Sequence, residues 1–100
     1  MGLASRALDS EEVLPAAVSV AEDMAANCAP VSLALTKRLL WSDSDLGRTV
    51  ELESAYHRVV LGAPDAREGP QSWVERRIPQ WTGSVNESWV QVLASEDEES

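Results

Sequence analysis

Two tryptophans and three arginines crowd residues 65–83, DAREGPQSWVERRIPQWTG, in a chain that carries 17 acidic and 8 basic side chains. Trp73 stands three residues before Arg76 and four before Arg77, so a helix through them sets an indole beside a guanidinium. Such a pair can stack on a flat ring and reach a phosphate, for which arginine offers a planar fork of donors. The chemistry suggested by Arg67, Trp73, Arg76, Arg77 and Trp81 is therefore capture of an anionic ligand that bears a ring. The same spacing also suits a tryptophan that anchors its helix to a core, with arginines complementing the negative end of the helix dipole.

Groups for covalent or metal chemistry are scarce. His57 is the one histidine and Cys28 the one cysteine, and there is no Gly-rich phosphate loop, HExxH or CxxC spacing. Nucleophilic triads and metal centres are set aside on that ground. Glu51 and Glu53 form a carboxylate pair, but acid–base work needs a cleft and a shifted pKa; on a helix they read as a solvated face. His57 follows Glu53 by four residues and reads as a surface or boundary residue. Cys28 extends an apolar stripe and reads as a packed thiol; a single free thiol suits a reducing, cytoplasmic setting.

One hundred residues make at most one small domain with a marginal core. Hydrophobic residues are 44% and charged residues 25%, ordinary for a globular protein. The formal net charge of −9 opposes binding to nucleic acid or anionic lipid. Apolar runs fall far short of the roughly 20 residues that span a bilayer, and no basic region followed by an apolar core opens the chain.

The elements that must position the basic and aromatic residues read as helices. Asp9 with Glu12 resembles a capping box, so a helix begins near Ser10, with Glu11 and Glu12 at the positive end of its dipole. Leu14, Val18, Ala21, Ala25 and Cys28 recur at helical spacing and predict one buried face. Pro15 predicts a separate first turn or a kink; Asn27 and Pro30 mark the end. A second helix runs from Pro30 through Trp41, with Val31, Ala34, Leu35, Leu39 and Trp41 inward. Asp45 is the expected N-cap of a third, which reaches about Leu61 and stops at Gly62; its stripe is Leu46, Val50, Tyr56, Val59 and Val60. Pro64 and Asp65 open a fourth through about Arg76, in spite of Pro70 near its second turn. Residues 1–9 read as a strand end or an extended lead-in. Residues 84–100 read as a mobile acidic tail, because Glu96, Asp97, Glu98 and Glu99 oppose the dipole of any helix over 87–94.

The order of features is more specific than any one of them: GLASRAL, the helix EEVLPAAVSVAEDMA, AP and LTK, an acidic helix, DAREG, then WVERRIPQW. Over residues 2–83 this order resembles the C-terminal region of the crotonase superfamily, the enoyl-CoA hydratase and isomerase group. The resemblance implies a mainly α fold, the helical C-terminal subdomain of a crotonase-like subunit, with about four helices in residues 1–83. It also implies that the acyl-CoA-binding spiral, with its catalytic acids and oxyanion hole, belongs to a larger N-terminal region, and that subunits assemble as trimers or pairs of trimers. In the family, Phe often stands where Trp73 does and Lys where Arg76 does, the basic residue lying near the adenosine-phosphate end of coenzyme A. His57 falls where some members place a phenylalanine against the adenine. Lys37 matches a frequent family lysine, taken as structural, whereas Pro70 replaces the usual aliphatic residue after EG.

Two functions follow as expectations. One is a partial enoyl-CoA hydratase/isomerase family protein, inactive alone and with no catalytic residue of its own, in which Trp73, Arg76 and His57 edge a coenzyme A site. The parent substrate is a coenzyme A thioester, and no separate cofactor or metal is implied. The other is a small helical module that docks on an acyl-CoA enzyme or on itself.

Overall fold

The computed structural model describes residues 2–98, and among these it forms five helices and no strand. They are α1 (Ser10–Asn27), α2 (Pro30–Trp41), α3 (Leu46–Leu61), α4 (Asp65–Val74) and α5 (Val85–Glu98). The core sits where α2, α3 and α5 meet. Val31 and Leu35 of α2, Leu52, Tyr56 and Val59 of α3, and Val92 of α5 pack into one cluster, with Leu39, Val60 and Trp89 at its edge. Burying each such side chain contributes about 1.5–3 kcal/mol.

Local chemistry sets the helix limits. Pro30 opens α2, where its missing amide hydrogen would have had no helical partner. The Asp45 side chain caps α3 by accepting the Arg48 amide at 2.8 Å, and Gly62 closes it by donating to the Arg58 carbonyl. On α3 the buried set is Leu52, Ala55, Tyr56 and Val59, while Leu46 and Val50 face outward. Of the expected stripe, Tyr56 and Val59 are buried, and Leu52 and Ala55 take the inward places expected of Leu46 and Val50. Trp41, expected inward, is 81% exposed at the last turn of α2.

α1 departs most from expectation. It runs unbroken from Ser10 with Pro15 inside it, so there is no separate first turn. Asp9 makes no side-chain cap; only its carbonyl accepts the Glu12 amide, at 2.9 Å. The helix has no buried residue, and Val13, Leu14, Val18, Val20 and Met24 lie open. Cys28, at its C-terminal end, is half-buried. The Cα radius of gyration of 16.1 Å exceeds the roughly 13 Å of a compact chain this long, consistent with a helix that stands off the core. Residues 2–9 form no strand and lead into α1.

Of residues 84–100, expected as a mobile tail, 85–98 are instead α5, packed most extensively on α3, while 99 and 100 lie outside the described residues. Three interactions outweigh the unfavourable acids at its end. Val92 is completely buried and Trp89 packs beside it. The Glu96 carboxylate accepts from Arg38 Nε at 2.5 Å and Nη2 at 3.0 Å, and from the Tyr56 hydroxyl. Arg48 Nη2 donates to the Glu96 carbonyl at 3.2 Å, which supplies positive charge at the negative end of the helix.

Candidate functional site

The basic and aromatic residues are held by α4 and the strap that follows it. Asp65, in the first turn of α4, is buried, and its carboxylate accepts the Thr82 amide at 2.8 Å, the Thr82 hydroxyl at 3.3 Å and the Gly83 amide at 2.9 Å. This ties the strap back to the helix start. Midway, Glu68 accepts from Arg77 Nη1 at 2.5 Å and Nη2 at 3.0 Å, and from the Gln80 amide at 2.7 Å. Those donors hold the Glu68 carboxyl down to about 2, with the Arg77 guanidinium the larger cause. Arg77 also donates to Glu75 at 2.7 Å, which lowers that carboxyl too.

α4 ends two residues earlier than the sequence suggests, at Val74. Arg76 lies beyond it in the left-handed region, with φ of 53°. The Arg76 amide donates to the Trp73 carbonyl at 3.2 Å and the Arg77 amide to the Ser72 carbonyl at 3.0 Å. This is a Schellman closure with arginine where glycine is usual, a conformation that costs an L-residue about 1–2 kcal/mol. Trp73 and Arg76 therefore do not share a helix face, as regular spacing implies, yet both line one open cavity of about 790 Å³ with Gly69, Arg77, Ile78 and Trp81. Trp73 is 84% exposed, so it anchors nothing within this chain.

The five residues of the basic and aromatic set are sorted by this geometry. Trp73, Arg76, Arg77 and Trp81 meet at the cavity, whereas Arg67 is exposed on α4 and outside its lining. Arg77 is committed to Glu68 and Glu75, leaving Arg76 as the guanidinium suited to a ligand. His57 is exposed on α3 and does not line the cavity. Ile78, exposed beside Trp73 on the rim, was missed by sequence reasoning, which searched for charge and rings; its place next to the arginines was the available signal. Trp81 Nε1 is buried with no hydrogen-bond partner among the described residues.

Among the described residues no group of three or more His, Cys, Asp or Glu is placed to hold a metal ion, and no helix is long and apolar enough to cross a membrane. Glu51 and Glu53 are exposed on α3, away from the cavity. The arrangement can present a ring face and a positive charge to an anionic ligand; it assembles no acid–base pair.

Known proteins narrow this chemistry. No family model matches the chain. The carnitinyl-CoA dehydratase of Proteus mirabilis is 33% identical over 90 residues, covering 82% of this chain and 33% of that protein. Its namesake from Salmonella typhi is 28% identical over 92 residues with the same coverage. A crystal structure of a probable enoyl-CoA hydratase/isomerase from Mycobacterium abscessus superposes with a TM-score of 0.73 at 42% identity, covering 83% of this chain and 34% of that one. The chain spans about a third of the length of the curated relatives it matches. Helix order, motif order and these likenesses agree: the chain belongs to the enoyl-CoA hydratase/isomerase (crotonase) superfamily, with the fold of its helical C-terminal subdomain.

Proposed function

We infer that this chain is a partial enoyl-CoA hydratase/isomerase family protein whose Trp73 and Arg76 receive the adenosine-phosphate end of a coenzyme A thioester, and which turns over no substrate by itself. The observation that carries the reading is the open cavity shared by the exposed Trp73 and by Arg76, in a family where this region lies near coenzyme A. The indole offers a face for stacking, and among the described residues Arg76 has no carboxylate partner to compete with a phosphate. An arginine kept in a strained left-handed conformation fits a role in ligand contact better than one in stability. His57 joins the reading as a neighbour of adenine bound across a subunit boundary, since it lies outside this cavity.

The uncovered stripe of α1 supports the partial status. Val13, Leu14, Val18 and Met24 recur at helical spacing, as on a helix built to pack, and nothing among the described residues covers them. A crotonase-like core, or further copies in a trimer-type assembly, would cover that face.

Titration with free coenzyme A, followed by tryptophan fluorescence, tests the ligand. Weak saturable quenching that disappears in Arg76→Ala supports the reading; no saturable change at millimolar coenzyme A, or the same change in the variant, removes it. Turnover of a 2-enoyl-CoA by the purified chain above a protein-free control would overturn its incompetence.

A further inference from the structure

A second cluster of cations lies outside the rim just described. Lys37, Arg38 and Arg48 line one open groove of about 690 Å³ between α2, α3 and the end of α5, together with Trp41, Tyr56 and Glu96. In a chain of net charge −9 this concentration of positive charge is local and specific. The groove already holds one anionic group. Glu96 sits in a bidentate fork on Arg38, with the Tyr56 hydroxyl donating to it and Arg48 donating to its carbonyl. Arg38 is itself steadied by the Trp89 ring, 5.3 Å from its centroid.

The occupancy of these donors is incomplete. Arg48 shares Nη1 with Glu51 at 3.3 Å, and Glu51 is outside the lining. Among the described residues Lys37 has no ion pair, and it is exposed at the groove mouth, near the 81%-exposed Trp41. The lining itself sets three cations against one carboxylate, Glu96, with Asp43, Asp45 and Glu51 outside it. Asp45 lies close by in sequence, but its carboxylate is engaged by the Arg48 backbone amide as a helix cap. Arginine forks and a lysine point charge, side by side, suit a tetrahedral dianion.

We propose that the groove between α2 and α3 is a phosphate-binding site whose resident occupant is the chain's own Glu96. A phosphate group enters beside Lys37 and competes with the Glu96 carboxylate for Arg38 and Tyr56, so that binding loosens the last turn of α5. The site is independent of the Trp73 and Arg76 rim, and neither reading depends on the other.

The test uses the full chain and inorganic phosphate, with binding read by phosphorus NMR at constant ionic strength. Expected are saturable binding in the millimolar range, affinity weakened about fivefold in Lys37→Met, and tighter binding in Glu96→Gln, which keeps the side-chain size but removes the competing charge. Lys37 is exposed, so its replacement leaves folding intact, and Arg67→Ala, at an exposed arginine outside both cavities, serves as a control with unchanged phosphate affinity. No saturation in either the unaltered chain or Glu96→Gln overturns the proposal, as does equal affinity in Lys37→Met. Equal binding of succinate would assign the groove to carboxylates in general and overturn the choice of phosphate.

Discussion

The Asp65 carboxylate lies where a Cβ on Gly83 would have to be. It accepts the Gly83 amide at 2.9 Å, and a methyl group built on Gly83 would meet Asp65 Oδ2 at 2.6 Å and Val31 Cγ2 at 3.3 Å. Gly83→Ala must therefore push the strap away from both α4 and α2. The expected cost is about 2 kcal/mol, the scale of a hydrogen bond to a charged group, read as a lower urea midpoint. Asp65→Asn should lose a comparable amount by weakening the three bonds to Thr82 and Gly83; unchanged midpoints in both variants would refute the staple.

Glu68 links the stability of the fold to acid pH. Its folded-state carboxyl is depressed to about 2 from an ordinary 4.5 by Arg77 and the Gln80 amide. A depressed carboxyl favours the folded state above the unfolded value, and this contribution fades as pH falls from about 4.5 toward 2. Glu68→Gln should accordingly show a shallower loss of stability with falling pH across that window than the unaltered chain. Identical slopes in acid unfolding curves would show that the pair contributes nothing in solution.

Replacing Arg76 by glycine separates strain from binding. Glycine takes the left-handed closure freely, so Arg76→Gly should gain about 1 kcal/mol in stability while losing coenzyme A quenching. A loss of stability would mean that the arginine side chain, not the backbone closure, holds this end of α4.

Truncating Val92 should cost about 2 kcal/mol or more, since this side chain is fully enclosed by α2 and α3. Leu14→Ala on open α1 should stay within about 0.5 kcal/mol. Equal losses from the two in chemical denaturation would mean that α1 is packed in solution.

The helices were legible because their signals are local. Pro30, Asp45 and Gly62 each fix a limit through their own backbone and side-chain chemistry, and they stand where expected. Trp73, Arg76, Arg77 and Trp81 were likewise found together, although their meeting depends on a closure that spacing could not disclose: a left-handed arginine after Val74. Long-range choices were hidden. The apolar stripe of α1 looks like a core face in sequence, yet burial depends on a surface to pack against, and the described residues offer none. The acidic end of α5 looks unstable in isolation, and only the partners Arg38 and Arg48, distant in sequence, reverse that judgement.

α5 makes the core one cooperative unit. The motifs that carry the crotonase resemblance in the sequence end at Gly83, whereas Val92, completely buried, comes nine residues later. A substitution on α5 therefore acts directly on α2 and α3, and its cost should be shared by Leu35, Leu52 and Tyr56 rather than stay at the altered residue.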